Sequence, residues 1–99
     1  MKWYHYLAVF AAGFFLTNTI PHLVQGVTSN SFPTPFADPP GKGLSSPLIN
    51  VLWACTNLFI GYVLLRVGKL TTENKIAMLI LFFGILTASV MLSFSFIKN

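Results

Sequence analysis

The sequence predicts an all-α integral membrane protein of three transmembrane helices, with a proline-rich loop between the first and the second. Three observations carry this. Charged residues make up 8% of the 99 residues and hydrophobic ones 55%, against roughly 25% charged in soluble domains. Mean hydropathy is +0.72, and so little polar surface cannot cover a soluble core in so short a chain. No Asp, Glu, Lys or Arg occurs from Trp3 to Ala37, from Leu44 to Leu65, or from Ile76 to Ile97. Runs of about 20 apolar residues match a hydrocarbon layer about 30 Å thick.

The chain reads as a single membrane domain, residues 1–99. The first helix covers about 3–27. Its apolar part continues to Val24, and no small-x-small site follows where a signal peptidase would cut, so it reads as a retained helix. The loop over 28–46 holds Pro33, Pro35, Pro39 and Pro40, which forbid a regular helix. Its Phe32 and Phe36 are apolar anchors, so the loop is expected to pack on the helix ends or to dip into the membrane interface. The second helix covers about 47–67, opened by Ser46 as N-cap and Pro47 at the first helical position. Gly68 is expected in a left-handed C-terminal cap. The third helix covers about 73–97, with Thr71 as its cap. The second and third helices are expected to form a tight antiparallel hairpin.

The net charge of +4 does not describe a nucleic-acid surface. Lys2, Lys42, Arg66, Lys69, Lys75 and Lys98 lie at the ends of apolar runs, where cations flank a membrane. Lys2, Arg66, Lys69 and Lys75 share one side; Lys42 and Lys98 share the other. The positive-inside rule then puts the N-terminus in the cytoplasm, and the proline-rich loop and C-terminus outside. The lone Cys55 excludes an internal disulfide.

Polar residues inside apolar runs are the candidate functional residues. Asn18, His22 and Gln25 are spaced to share one helix face, as are Asn50, Ala54, Asn57 and Gly61. In antiparallel helices Asn18 and His22 match the depth of Asn50 and Asn57, so the five polar residues form a candidate intramembrane site. Pro21 withholds a donor from the carbonyl of Thr17, and Asn50 or Asn57 is expected to supply one. On the third helix Ala77, Gly84, Ala88 and Ser95 form a small-residue stripe suited to close packing, as does Gly61 on the second. One chain is not expected to use up that stripe. "PPGKG", Pro39–Gly43, lacks the Ser or Thr of a phosphate loop, but Gly41, Lys42 and Gly43 form a weak candidate anion site.

No metal and no cofactor is expected: His5 and His22 are about 25 Å apart along one helix, too far to share an ion. No enzyme is expected either, since Asp38 and Glu73 lie outside the apolar runs and no nucleophile–base pair is evident. The expected role is helix–helix assembly with a second copy or another membrane protein, with lipids as the other partner. The alternative is a homo-oligomeric transporter or channel with a polar path past His22, Asn18 and Asn57.

The segments "NTIPHLVQG", "FPTPFADPPGKGLSSP" and "NVLWACTNLFIGYVLL" resemble parts of a group of uncharacterised small bacterial integral membrane proteins. The resemblance covers roughly the first two-thirds of the chain. It implies a bacterial inner membrane, and no activity or site.

Overall fold

A computed structural model describes residues 1–95. It contains helices α1 (Trp3–Val27), α2 (Pro47–Val67) and α3 (Lys75–Ser95), and a two-stranded ribbon of β1 (Phe32–Pro33) and β2 (Leu44–Ser45). All three helices are long and apolar enough to cross a membrane. The long axis of the molecule, 41 Å, fits helices of 21 to 25 residues at about 1.5 Å per residue. Large apolar side chains such as Leu52, Phe59, Leu79 and Phe82 face outward. The largest fully buried side chains are Val9, Asn50, Asn57 and Thr34. Three of those four are polar, so hydrogen bonding and close backbone contact must hold the interior together more than apolar bulk does.

The helices lie in the order α2–α1–α3. α1 packs on both neighbours, and α2 and α3 barely meet. This corrects the expected α2–α3 hairpin. The physical reason is the placement of small and polar residues. Asn50, Ala54, Asn57 and Gly61 are the buried residues of α2, and Ala77, Gly84 and Ala88 those of α3. Both sets face α1, which therefore fills the space between its neighbours.

The α1–α2 interface runs antiparallel, and glycines let it close. A Cβ on Gly68 would lie 2.6 Å from Val9 Cγ2 and 2.9 Å from the carbonyl of His5. One on Gly61 would meet Leu16, and one on Gly26 would meet Val51 and the carbonyl of Pro47. The α1–α3 interface runs parallel. Gly13 lies against the backbone of Leu81, Gly84 and Ile85, and Gly84 lies against the backbone of Phe10. The predicted stripe of Ala77, Gly84 and Ala88 is thus used within one chain. The expectation that it stays free for assembly is corrected on that ground.

Two boundaries differ from the sequence reading. Gly68 is right-handed (φ −75°), and Lys69 takes the left-handed position (φ 54°). The Lys69 and Leu70 N–H groups close a Schellman cap on Arg66 and Leu65. Gly68 is a glycine because α1 approaches it, not because of its dihedral angles. Accordingly, Lys69→Gly is expected to stabilise the protein by about 0.5–1 kcal/mol by relieving the left-handed strain. Gly68→Ala is expected to destabilise it by about 1–3 kcal/mol by overpacking. Thermal unfolding in mild detergent checks both signs. The second difference is the start of α3. Asn74 is the cap, its Oδ1 accepting from the Ala77 N–H at 3.1 Å. Thr71 instead closes the preceding turn through its carbonyl, because an amide two residues before the first apolar position outcompetes a more distant hydroxyl. Glu73 therefore precedes the helix, and the predicted end of the third helix at 97, with Lys98, lies outside the described residues.

Candidate functional site at the loop end

α1 and α2 bring four of the five predicted polar residues together as two pairs. Asn18 Nδ2 donates to Asn57 Oδ1 at 3.1 Å. His22 Nδ1 and Asn50 Oδ1 are 2.8 Å apart. Asn50 and Asn57 are fully buried and His22 nearly so. Asn57 completes its amide by donating to the carbonyl of Trp53 at 2.8 Å. If the Asn18–Asn57 bond holds the helices together, a double-mutant cycle with alanine should return a coupling of about 0.6–2 kcal/mol. Additive losses would show that the bond contributes nothing beyond its two parts.

Asn50 is the hub of the loop end. Its Nδ2 carries two N–H donors and lies within hydrogen-bond distance of three carbonyls, those of Phe32 (3.0 Å), Ser45 (3.2 Å) and Ser46 (3.1 Å), which share them. Carbonyls only accept, so the amide nitrogen must face them and the oxygen must face His22. That orientation fixes the imidazole tautomer: Nδ1 carries the proton and donates to Asn50, and Nε2 is left as an acceptor. Nε2 has no hydrogen-bond partner among the described residues.

The loop folds back onto this hub. β1 pairs antiparallel with β2, Phe32 opposite Ser45 and Pro33 opposite Leu44. Thr34 organises the remainder. Its buried hydroxyl pairs with Ser45 Oγ and accepts from the Phe36 N–H, and its carbonyl accepts from Ala37 and Gly41. Phe32 stands edge-on to the His22 ring at 5.4 Å, and Phe36 edge-on to Trp53 at 5.1 Å. Both phenylalanines therefore sit on helix residues, as apolar anchors between prolines should.

Three predicted residues or groups fall elsewhere. Gln25 lies on the flank of α1 turned to α3, in an open groove of about 450 Å³ with Thr17, Pro21, Ser89 and Ser93. It follows His22 by three residues, a step of about 60° back around the helix, and with neighbours on both flanks of α1 that step leaves the α2 face. The Thr17 carbonyl receives no donor from Asn50 or Asn57, whose Nδ2 groups are committed to the loop and to Trp53. The N–H groups of Gly41, Lys42 and Gly43 donate to the carbonyls of Thr34 and Pro39. Gly41 takes a positive φ of 74° to make that turn. The candidate anion site thus has its donors turned inward, and it lacks the outward N–H nest that binding an anion requires.

Sequence reasoning missed Trp53 as a site residue. A cavity of about 270 Å³ opens between the loop and the helices, lined by Asn18, His22, Trp53 and Ser95 of the helices and by Pro33, Thr34, Pro35 and Gly41 of the loop. The Trp53 indole N–H is buried and has no acceptor among the described residues. The available signal was an indole in a charge-free run, since a buried indole N–H normally finds a partner.

Toward the N-terminus of α1 the same interface is closed. Beyond Asn57 it is filled by Leu16 on Gly61 and Val9 on Gly68. Within one chain the polar cluster therefore ends blind. Comparison with protein-family models, with curated proteins and with solved structures gives no match for this chain.

Proposed function

We propose that the chain is a multi-pass protein of the bacterial cytoplasmic membrane that binds a small ligand in the cavity under its loop. The loop end faces outward by the positive-inside count and the N-terminus is cytoplasmic. One observation carries the reading. The Asn50 hub commits His22 Nδ1 and leaves Nε2 on a residue lining a cavity, and another residue of that cavity, Trp53, holds a buried N–H without an acceptor. A mostly apolar cavity with a few convergent polar groups is the usual form of a small-molecule site.

The two earlier expectations are weaker by comparison. Assembly through the α3 stripe loses its motivating face, because Gly84 already lies on Phe10. A path past His22 would need to continue beyond Asn57, where Leu16 and Val9 close the interface. Binding without conduction and without catalysis fits this geometry best.

The test is purification of the full chain in native lipid, followed by mass spectrometry of extracted small molecules. A species retained by the wild type and lost from both His22→Phe and Trp53→Ala is the expected result. Identical small-molecule content in all three proteins would contradict the reading.

A further inference from the structure

The close approach at Gly68 has a second effect, at the end of the molecule away from the loop. A Cβ on Gly68 would lie 2.9 Å from the His5 carbonyl, so the next residue, Lys69, is carried to the first turn of α1. Lys69, the Met1 amine and Lys2 all act electrostatically on the His5 ring. We propose that Lys2, His5 and Lys69 form a site for the phosphate of one anionic phospholipid at the membrane surface. The proposal shares with the reading above only the placement of the helices in a membrane.

The cluster holds positive charge without a matching acid. The chain has two acidic residues, Asp38 and Glu73, and neither is among the groups acting on the His5 ring. Both lysines are exposed. The imidazole adds a donor of its own. The Lys2 backbone N–H donates to His5 Nδ1 at 3.0 Å, so Nδ1 is bare and the ring proton is on Nε2. The segment is also held in place: Asn74 Nδ2 lies 2.7 Å from Met1 Sδ, tying the residue before Lys2 to the start of α3. Arg66 is engaged elsewhere, donating to the Tyr62 hydroxyl at 2.9 Å with its guanidinium over the same ring.

Lys69 stands where glycine is the low-cost residue, at a φ of 54°. A lysine there gives up stability, and what it supplies that glycine lacks is an ammonium group. Strain retained at one position in this way points to a role for the side chain.

Depth makes the anion a lipid. Lys2 and Lys69 flank the charge-free runs of α1 and α2, which puts them at headgroup level. Trp3 and Tyr4 are exposed beside them, and the Tyr4 ring packs on His5 at 4.6 Å. Aromatic rings of this kind sit in the same interfacial layer. A headgroup with net negative charge is preferred to phosphatidylcholine, whose own cation would face the cluster.

The experiment purifies the full chain in mild detergent with equimolar phosphatidylglycerol and phosphatidylcholine and counts bound lipid by native mass spectrometry. The wild type should favour phosphatidylglycerol about 25-fold, each lysine contributing about fivefold. Lys69→Gly and Lys2→Gln should each lower the ratio about fivefold. Lys69→Gly is expected to be more stable than the wild type, so its loss of lipid is not a loss of fold. Lys75→Gln removes a charge at the same end, but Lys75 is not among the groups acting on His5, and the ratio should hold. Excess inorganic phosphate, at an ionic strength matched with sodium chloride, should also leave it unchanged. Equal retention of the two lipids by the wild type would overturn the site. An equal fall in Lys75→Gln and Lys69→Gly would mark a diffuse basic surface and overturn the localised cluster. Loss of the preference in inorganic phosphate but not in sodium chloride would overturn the lipid as the source of the phosphate.

Discussion

The Asn50→Leu variant should lose about 3 kcal/mol of stability, and the loss should appear first at the loop end. Leucine keeps the branched outline of asparagine and removes its hydrogen-bonding atoms, with some added bulk at a fully buried position. It removes the partner of His22 Nδ1 and the donor to the Phe32, Ser45 and Ser46 carbonyls. Hydrogen bonds between membrane helices average about 0.6 kcal/mol, with a maximum near 2. A buried polar group left unsatisfied costs about 1–3 kcal/mol, and here the His22 Nδ1–H loses its acceptor, whereas the Ser46 carbonyl keeps its backbone bond from residue 50 and Phe32 and Ser45 stay paired in the ribbon. Asn50→Asp should be worse at neutral pH, because it turns a carboxylate oxygen toward carbonyls that can only accept. Thermal unfolding in mild detergent gives the magnitude. Limited proteolysis gives the location: cleavage within 28–46 should accelerate well before the helices lose their far-UV signal.

Gly84→Leu should cost on the order of 4 kcal/mol, and at any protein concentration. A Cβ at this position meets the Phe10 carbonyl oxygen, and lies 3.2 Å from the carbonyl carbon and 3.3 Å from Cα of the same residue. These are backbone atoms, so no rotamer change relieves the contact. Gly13 is subject to the same constraint from the other side, with its Cβ position 2.8 Å from the Leu81 carbonyl and 3.0 Å from the Ile85 nitrogen. The helices can accept the larger residue only by moving apart, which gives up packing along the whole seam. Even Gly84→Ala should cost about 1–3 kcal/mol. The dependence on concentration separates packing within one chain from packing between copies. An intramolecular seam gives the same destabilisation at every dilution, whereas a seam between chains weakens by mass action. Unfolding midpoints across a wide range of protein-to-detergent ratios supply that comparison.

Much of the fold was legible in the sequence, for identifiable reasons. Charge-free runs locate the helices because lipid tolerates few charges. Ser46 and Pro47 mark the start of α2, and the Ser46 hydroxyl accepts from the Ile49 N–H there. That Asn18 and His22 lie level with Asn50 and Asn57 followed from depth, because few polar residues lie in those runs; which residue pairs with which came only from the structure. The order of the helices was not legible. Small residues on α3 declare a close contact but not its partner, and the answering glycine, Gly13, sits in an apolar run that also contains Ala11 and Ala12. Gly68 and Lys69 show the same limit. A glycine at a helix end has two possible uses, dihedral freedom and lack of a Cβ, and only the approach of Val9 and His5 decides between them. The loop was hardest to read. Its closure depends on Thr34 and Ser45, eleven residues apart and flanked by prolines, and on an amide from another element that no local pattern announces.

The central claim is that Asn50 ties the loop to α1 and, in doing so, sets the chemistry of His22. The most direct measurement is the ¹⁵N spectrum of the His22 ring in the full chain in a lipid bilayer, at about pH 8, where an ordinary histidine is neutral. The result expected is the tautomer with Nδ1 protonated and Nε2 bare, changing in Asn50→Leu. A ring protonated at Nε2 in the wild-type protein would contradict it, because Asn50 would then have to face His22 with its nitrogen and could not hold the loop.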